Sequence, residues 1–315
     1  MPAFTALSTL IENFSNRRPI RAGSLIITIY GDAIFPRGGT VWLGSLIKLL
    51  EPLGLNQRLV RTSVFRLAKE NWLVAEQVGR RSYYSLTGPG IRRFQKAFER
   101  VYANHNPEWD GRWLMAILGQ LEQEDRQKLR QELEWHGFGT LAPTVMLHPQ
   151  MTKAELQPVL QELNYQNDVI IFEDMGEGTQ ATRAMRLQTR ESWNLPKLTQ
   201  SYQSFLDKFR PIWNHMKDNG TPEPEQCFQI RTLMIHEYRR ITLRDPELPG
   251  ELLPGDWAGK SARQLCSNIY QKVWQGAEQY MDEHLETAEG PLPPPNNKFY
   301  NRYGGLNPAA RTTDY

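Results

Sequence analysis

The chain has 315 residues, of which 40% are hydrophobic and 23% are charged, a composition typical of a globular protein with two or three domains. Its two cysteines, Cys227 and Cys266, are too few for a disulfide framework and match no zinc-site spacing, so we expect reduced thiols in a cytoplasmic protein. No early basic region leads into an apolar run, and no apolar stretch reaches the ~18 residues of a membrane span, so we expect neither a signal peptide nor a transmembrane helix.

The net charge of +2 is unevenly distributed along the chain. Residues 1–104 contain 15 Lys or Arg and 6 Asp or Glu, whereas the remaining residues contain 22 basic and 29 acidic side chains. This asymmetry indicates that any polyanion-binding surface lies in the first third. A solvated basic surface explains this charge distribution equally well. The spacing of the residues is therefore needed to distinguish it from a polyanion-binding surface.

Three apolar helices are predicted in the first 54 residues. The first is indicated by apolar residues at helical spacing: Phe4, Leu7, Leu10, Ile11 and Phe14. The second is expected to begin after Ser24 as its N-cap and to reach about Ile34, before the break at residues 36–39. The third covers Trp42 to Glu51 and ends at Pro52 and Gly54.

The next predicted helix, Gln57–Asn71, has two opposed faces and Asn56 as its N-cap. Val60, Val64 and Leu67 form the expected core face. The opposite face carries a polar stripe with two flanking residues: Arg58, Thr62, Arg66 and Lys69, with Arg61 and Phe65 beside them. A helix-turn-helix needs this arrangement because its second helix packs on one face and contacts DNA with the other. Arginine suits that role because its planar fork can bind guanine bidentately.

A basic hairpin is predicted directly after this helix. Its strands are Trp72 to Val78 and Ser82 to Leu86, joined by the turn Gly79-Arg80-Arg81, and two arginines at the tip are typical of a wing that contacts the minor groove or backbone. Thr87 then introduces a helix that carries further cations: Arg92, Arg93, Lys96 and Arg100. This order predicts a winged helix-turn-helix that binds double-stranded DNA. A winged helix used for protein contacts remains the alternative, and the density of arginine disfavours it.

The candidate DNA-binding residues are drawn from this helix and hairpin. They are Gln57, Arg58, Arg61, Thr62, Ser63, Arg66, Lys69, Arg80 and Arg81.

The middle of the chain alternates strands and helices after a junction at Trp109-Asp110-Gly111. The predicted elements are a strand at Arg112–Leu118, a helix at Gln123–Trp135, an extended stretch at Thr140–Leu147, a helix at Lys153–Leu163 and a strand at Asp168–Glu173. This alternation predicts an α+β domain of ferredoxin-like type, a fold that settles no function. Two glycine runs, residues 137–142 and 176–181, fit a dinucleotide fingerprint poorly and are interpreted as turns.

The last third is predicted to be helical and to lack catalytic and metal-binding residues. Its helices are Tyr202 to Met216 with a kink at Pro211, Glu225 to Leu243, and Ser261 to Tyr280. A zinc-protease motif starting at His236-Glu237 lacks its second histidine because Arg240 occupies that position, and the six histidines are scattered. We therefore expect no catalytic residues, no metal and no enzyme activity.

Residue runs along nearly the whole chain resemble the PaaX family. In the first third they are Tyr30-Gly31-Asp32, Arg37-Gly38-Gly39, Trp42-Leu43-Gly44-Ser45-Leu46, Arg61 to Leu67, and Gly79 to Leu86. Further on they are Trp109-Asp110-Gly111, Trp135 to Gly139, Tyr238-Arg239-Arg240, Asp245 to Pro249, Leu252-Leu253-Pro254, Trp257-Ala258-Gly259 and Tyr303 to Asn307. The resemblance implies a homodimeric repressor of a phenylacetic acid degradation operon, released from its operator DNA by phenylacetyl-coenzyme A. It also implies a ferredoxin-like central domain.

An acyl-coenzyme A effector needs cations for its phosphates and an apolar slot for its acyl group. The best clustered candidates in the otherwise acidic part of the chain are Arg239, Arg240, Trp257, Lys260 and Arg263. Structural ion pairs between C-terminal helices are the alternative explanation for these cations.

We therefore predict an α+β multidomain protein with three domains in chain order. These are a winged helix-turn-helix at residues 1–106, a ferredoxin-like α+β domain at 107–192, and a helical effector and assembly domain at 193–315 with a proline-rich tail. Two other functions stay open: an enzyme acting on nucleic acid or a coenzyme A thioester, and a winged-helix scaffold for protein contacts.

Overall fold

The structure, a computed structural model, describes residues 4–17, 20–102, 108–174 and 181–306, apart from the side chains of Lys96, Ala97 and Glu99. Contacts group the chain into two compact units. Unit 1 comprises residues 1–104, 203–243 and 260–315, and unit 2 comprises residues 105–202 and 244–259. The predicted division into three domains in chain order stays a prediction.

Both helices and strands occur in the described residues. The α-helices are α1 Thr5–Ser15, α2 Ala22–Ile29, α3 Leu43–Leu50, α4 Gln57–Lys69, α5 Gly88–Tyr102, α6 Gln123–Trp135, α7 Lys153–Glu162, α8 Arg183–Ser192, α9 Leu195–Asn219, α10 Pro224–Thr242, α11 Ala258–His284 and α12 Asn297–Tyr300. The strands are β1 Thr40–Trp42, β2 Leu73–Val78, β3 Arg81–Leu86, β4 Trp113–Leu118, β5 Gly139–Ala142, β6 Val145–His148, β7 Val169–Asp174, β8 Glu286–Thr287 and β9 Gly290–Pro291.

The start of α2 corrects one prediction about the first third. Ser24 does not cap this helix, because α2 already begins at Ala22 and its N-cap, Arg21, provides no side-chain hydrogen bond. The helix continues beyond Ile29 as a π-helical turn over Tyr30–Ile34. Every residue of that turn is buried, which explains why the segment is apolar apart from Asp32.

A three-stranded antiparallel sheet follows, with the strand order β1-β3-β2. β1 was missed by the sequence interpretation, which placed Trp42 at the start of a helix, whereas α3 begins one residue later. In the β2–β3 hairpin Val78 pairs with Arg81, so the turn consists of Gly79 and Arg80 alone. Gly79 has a φ of 62°, the left-handed conformation that glycine adopts without strain.

A short turn joins α3 to α4. Gly54 has a φ of 78° in this turn, and the Asn56 side chain accepts a hydrogen bond from the Leu59 backbone N–H at 2.9 Å. This bond confirms Asn56 as the N-cap of α4. Val60, Val64 and Leu67 are buried, as the helical pattern predicts, and α4 packs on α2, α3 and β2.

α10, a C-terminal helix of unit 1, packs directly on helices from the first third of the chain. α10 contacts α1, α2 and α5, and its buried face includes Phe228, Ile230 and Tyr238. α9 begins at Leu195, earlier than predicted, and continues through Pro211. Three aromatic residues of its predicted core stripe, Tyr202, Phe205 and Phe209, are buried, and Trp213 is half-buried.

Asp32 is the centre of a buried network of charges in unit 1. Its carboxylate accepts hydrogen bonds from Arg231 Nε at 2.6 Å and from Arg302 Nη1 at 3.1 Å. The hydroxyls of Tyr102 and Tyr270 donate to the same carboxylate at 2.5 and 3.0 Å. Burial alone would raise the pKa of Asp32, but Arg231 and Arg302 outweigh it and lower the pKa.

Glu278 extends this network to a second arginine pair. The Glu278 carboxylate accepts hydrogen bonds from Arg231 Nη1 at 2.6 Å and from Arg37 Nη1 at 2.9 Å. Arg37 also contacts Asp282 and donates through Nε to the Pro293 carbonyl at 2.8 Å. Residues more than 200 positions apart in sequence are therefore bonded to one another in the interior of unit 1.

Unit 2 is built on a four-stranded antiparallel sheet with the order β5-β6-β4-β7. In β4 the burial alternates, and Leu114, Ala116 and Leu118 face the core that α6 and α7 cover. α6 has the predicted bounds. The other side of the sheet carries exposed Ile170 and Phe172.

Two further predictions fall in this unit. The single extended stretch predicted at Thr140–Leu147 is wrong, because β5 and β6 form a hairpin across Pro143 and Thr144. In the first glycine run, Gly137 has a φ of 91° and Gly139 begins β5, which agrees with a turn rather than a nucleotide loop. The second run lies almost entirely outside the described residues.

No helix among the described residues is long and apolar enough to cross a membrane.

Candidate nucleic-acid interface and effector site

The exposed face of α4 carries most of the residues predicted to bind DNA. Gln57, Arg58, Arg61, Thr62, Arg66 and Lys69 are all exposed. The helix therefore has an apolar face packed in unit 1 and a cationic face in solvent. Because the two faces are opposed, the cationic side chains can reach a ligand without disturbing the core.

Local contacts order several of these side chains. The Gln57 amide oxygen, in the orientation that satisfies both groups, accepts from Arg61 Nε and NH2 at 3.0 and 3.1 Å. The Thr62 hydroxyl donates to the Arg58 carbonyl at 2.9 Å. These are contacts within the helix, so the guanidinium groups still face outward.

Ser63 is the exception among the predicted residues. It is only 5% exposed and lies between Val60 and Leu67 on the buried face. A helical period of 3.6 residues places positions 60, 63, 64 and 67 on one side. Ser63 therefore points into unit 1, and the assignment of Ser63 to a DNA contact is wrong.

The two arginines of the hairpin differ in their surroundings. Arg80 is exposed at the turn. Arg81 belongs to β3, where its guanidinium stacks 4.2 Å from the Trp42 ring centroid and bonds Glu286 at 2.7 Å. The prediction of two arginines at the tip therefore applies to Arg80 alone.

The helix after the hairpin adds cations beside this surface. Thr87 Oγ1 accepts from the Gly90 backbone N–H at 3.0 Å and so caps α5, as the sequence predicts. Arg92 and Arg93 are exposed, and Arg93 lies 5.2 Å from the Trp72 ring centroid. The side chain of Lys96 lies outside the described residues.

The residues predicted to bind an effector divide between the two units. Arg239 and Arg240 end α10 in unit 1, and Lys260 and Arg263 lie near the start of α11 in the same unit. Trp257 belongs to unit 2, where its ring meets Tyr202 edge-on at 5.8 Å.

Structural contacts account for part of this set. Arg240 Nη1 lies 3.5 Å from Glu237, an ion pair within α10 rather than the predicted alternative of a pair between helices. Arg239 NH1 donates to the Thr28 hydroxyl at 3.1 Å, and burial lowers the pKa of Arg239. Lys260 is exposed.

One cavity of unit 1 contains Arg240 together with residues that the sequence interpretation did not select. Its volume is about 170 Å³, and it is lined by Phe14, Arg17, Arg21, His236 and Arg240. Arg17 and Arg21 were missed because the α10 residues that line the same cavity lie more than 200 positions away in sequence. The available signal was a basic break between two apolar helices.

A second cavity lies within unit 2 and has a different character. Its volume is about 360 Å³, and its walls are mostly apolar, with Trp113, Phe172 and Trp193 among them. Thr189, 1% exposed, also lines it and has no hydrogen-bond partner for its hydroxyl among the described residues.

No group of three or more His, Cys, Asp or Glu residues in the described part of the chain is arranged to hold a metal ion.

Comparisons with known proteins agree with this combination of a basic helix, a basic hairpin and a mixed helix-and-sheet fold. Three family models match the chain: PaaX-like protein at residues 21–90, PaaX protein central Cas2-like domain at residues 106–186, and PaaX-like protein C-terminal domain at residues 193–283. The chain therefore belongs to the PaaX family and is a multidomain protein of mixed helix and sheet.

The chain is also similar to individual proteins. The chain is 42% identical over 302 residues to the transcriptional repressor PaaX of Escherichia coli K12, with 96% of each chain covered. Among solved structures it is similar to an uncharacterised protein from Mycobacterium tuberculosis, with a TM-score of 0.51 and 22% identity over 75% of this chain and 90% of that one. The second likeness concerns the fold alone.

Proposed function

We propose that this protein is a DNA-binding transcriptional repressor of a phenylacetate catabolic operon and that phenylacetyl-coenzyme A releases it from its operator. The relationship to a transcriptional repressor supports the regulatory role, and a repressor is a regulator rather than an enzyme. The observation that carries the DNA contact is the exposed cationic face of α4, opposite a buried apolar face, with Arg80 exposed at the tip of the next hairpin.

The arrangement of α3, α4 and the β2–β3 hairpin supports a winged helix-turn-helix. In this proposal α4 enters the major groove, where Arg58 and Arg66 reach base edges and Arg61 and Lys69 reach phosphates. Arg80 contacts the backbone beside the groove as part of the wing. Arg81 supports the wing through Trp42 and Glu286.

The strand order of unit 2 supports the ferredoxin-like assignment. The chain passes through β4, α6, β5, β6, α7 and β7, and the strands align as β5-β6-β4-β7. This is the βαββαβ arrangement of two interleaved units with both helices on one face of the sheet.

A homodimer would place two copies of α4 on a palindromic operator, one or more helical turns apart. Effector binding would favour a dimer whose helices no longer match that spacing and would release DNA by a population shift. The effector is phenylacetyl-coenzyme A in this proposal, as the family resemblance implies.

The test is a titration of the purified protein against the DNA upstream of its own neighbouring operon, followed by fluorescence anisotropy. We expect a sequence-specific complex that phenylacetyl-coenzyme A dissociates and free phenylacetate does not. A complex that ignores the thioester would contradict the effector assignment while retaining the DNA contact. Absence of specific binding at low salt would favour the protein-contact scaffold.

Two variants separate base contacts from phosphate contacts. Arg66→Ala is expected to cost about 1–3 kcal/mol on the operator and much less on random DNA, because it removes a base contact. Arg80→Ala is expected to weaken binding to both DNAs and to flatten the salt dependence. Equal losses for Arg66→Ala on operator and random DNA would exclude its base-reading role. Lys128→Ala, an exposed lysine of unit 2, is the control.

A further inference from the structure

The cavity lined by Phe14, Arg17, Arg21, His236 and Arg240, here called the arginine cavity, contains three guanidinium groups from two distant parts of the chain. Arg17 follows α1 and Arg21 precedes α2, whereas Arg240 lies in the last turn of α10. The floor is built from side chains that the fold holds in place: Phe14 is 3% exposed and His236 1% exposed. Their rings pack edge-on at 5.8 Å.

Among the described residues around the arginine cavity, several cations share one carboxylate. Glu237 accepts from Arg17 at 2.6 Å and from Lys208 at 3.0 Å, and Arg240 lies 3.5 Å away. Arg17, Lys208 and Arg240 therefore share the Glu237 carboxylate. Its pKa falls to about 2 because the hydrogen bond from Arg17 and the charge of Lys208 outweigh the effect of burial, so it is ionised at neutral pH.

Two more arginines add to this positive charge. Arg21 lines the cavity, and Arg239 on the same helix as Arg240 has a buried Nε without a hydrogen-bond partner among the described residues. His236 contributes no charge at neutral pH, because burial lowers its pKa to about 3. A bound anion would offset the mutual repulsion of clustered cations.

The backbone beside the cavity favours the same kind of ligand. α2 begins directly after Arg21, whose side chain does not cap the first N–H groups of the helix. The start of a helix attracts anions because its free N–H groups and the helix dipole both present positive charge. Here this end lies next to guanidinium groups that themselves line a cavity.

We infer that the arginine cavity binds a phosphate group of a small ligand. Guanidinium groups match phosphate because each can donate two parallel hydrogen bonds, and three of them suit a doubly charged group with several oxygens. The aromatic floor of the cavity is recessed, which favours a small ligand over a DNA duplex. The phosphate backbone of a duplex can bind without contacting a buried floor. If the proposed acyl-coenzyme A effector is correct, the cavity holds one of its phosphates.

The position of the arginine cavity also gives the ligand a route to α4. A Cβ placed on Gly23, in the first turn of α2, would lie 2.9 Å from Arg66 NH2 and 3.9 Å from the Leu67 side chain. A ligand that draws Arg21 and the start of α2 inward therefore acts on a helix that touches the proposed recognition helix. This contact connects the arginine cavity to α4, so a ligand that favours one arrangement of α2 would be coupled to DNA binding.

The first experiment measures the melting temperature of the full chain in phosphate and in chloride at equal ionic strength and pH. Wild type is compared with Arg21→Gln, Arg240→Gln and Arg190→Gln; the last changes an exposed arginine of α8 and is the matched control. We expect phosphate to stabilise wild type and the control by several degrees more than chloride does, and both cavity variants to lose most of this difference. An equal response of all four proteins would overturn the inference.

A second experiment identifies the source of the phosphate. Calorimetry measures the dissociation constant of coenzyme A, and anisotropy measures the salt dependence of binding to random duplex DNA. We expect Arg21→Gln to weaken coenzyme A binding roughly tenfold or more, the loss typical of one charge-assisted hydrogen bond, and to leave the DNA salt slope unchanged. A lower salt slope with unchanged coenzyme A binding would identify a DNA phosphate and overturn the small-ligand site.

These outcomes are separable from the proposed function. Specific operator binding without any phosphate effect would retain the repressor and exclude the cavity site. A phosphate effect without specific operator binding would retain the cavity site and exclude the repressor.

Discussion

Asp32 illustrates how one buried carboxylate can determine the environment of several other residues. Arg231 and Arg302 are 1% exposed each, and both pair with Asp32, although Arg231 also pairs with Glu278. A buried ion pair adds little to stability compared with an apolar replacement, but removal of one partner leaves an uncompensated charge. The network therefore makes the interior of unit 1 intolerant of single substitutions at Asp32.

We expect Asp32→Asn to lower the free energy of unfolding of the full chain by about 3–5 kcal/mol, because Arg302 would remain buried beside a neutral amide and Arg231 would keep only Glu278 of its two carboxylate partners. Urea denaturation followed by circular dichroism measures the change. Asp256→Asn, at an exposed position, is the control and should change stability by less than about 0.5 kcal/mol. A loss below about 1 kcal/mol for Asp32→Asn would contradict the role given to the network.

His148 makes unit 2 sensitive to acid. Burial lowers its pKa to about 4, and its Nδ1 accepts hydrogen bonds from the backbone N–H groups of Gln150 and Met151 at 3.1 and 2.7 Å, which requires an unprotonated Nδ1. The unfolded chain binds this proton near pH 6.5 and the folded chain only near pH 4, so stability is complete above 6.5 and falls between the two values.

Between pH 7 and pH 5 this difference should cost unit 2 about 2 kcal/mol, at about 1.4 kcal/mol per pH unit below 6.5. His148→Asn should remove that part of the pH dependence, because the amide oxygen can accept both N–H groups without titrating. Denaturation of both proteins at the two pH values measures the effect. Parallel stability curves for wild type and His148→Asn would contradict it.

At the scale of elements, α4 depends on its N-cap. Asn56→Ala should cost about 1 kcal/mol of stability, because it removes the acceptor of the Leu59 N–H. It should also weaken operator binding, since the first turn carries Gln57 and Arg58, and fraying of that turn adds an ordering cost to the complex. Asn56→Asp should restore both properties, because aspartate caps equally well. Loss of binding with unchanged stability would instead indicate that Asn56 contacts DNA directly.

Elements with local causes were predictable from the sequence. α6 was predicted with its observed bounds because Leu129 and Leu133 recur at helical spacing and Gly137, with a φ of 91°, follows the end of the helix. The bounds of α4 were predicted to within two residues because neighbouring positions in the sequence contain its N-cap, its apolar face and its cationic face. Ser63 was misassigned because the choice of residues followed the density of polar groups rather than the angular position on the helix.

Elements that depend on distant partners were not predictable. β1 has three residues and no periodicity, and it is a strand only because Thr40, Val41 and Trp42 pair with β3. The arginine cavity combines Arg17 and Arg21 with α10, and the ion-pair network combines Asp32 and Arg37 with α10 and α11. No local pattern predicts that such residues meet, because the fold of the whole unit brings them together.

At the scale of the molecule, unit 1 is discontinuous in sequence. The apolar face of α2, with Leu25, Ile26 and Ile29, is buried in a unit that also contains α10. Among the described residues, the cationic partners of Asp32 are Arg231 and Arg302, both beyond position 230. The proposed DNA-contacting helix therefore belongs to a core that the last third of the chain completes.

We accordingly expect a fragment of residues 1–104 not to fold cooperatively by itself, because it would expose that apolar face and leave Asp32 without Arg231 and Arg302. The measurement is the dispersion of its ¹H–¹⁵N correlation spectrum together with its urea denaturation curve. Addition of a second fragment, residues 203–315, should restore dispersed signals and a cooperative transition, since it supplies α10, α11 and Arg302. A dispersed spectrum and operator binding from residues 1–104 alone would show instead that the N-terminal region is an autonomous domain, with the buried network as a contact between domains.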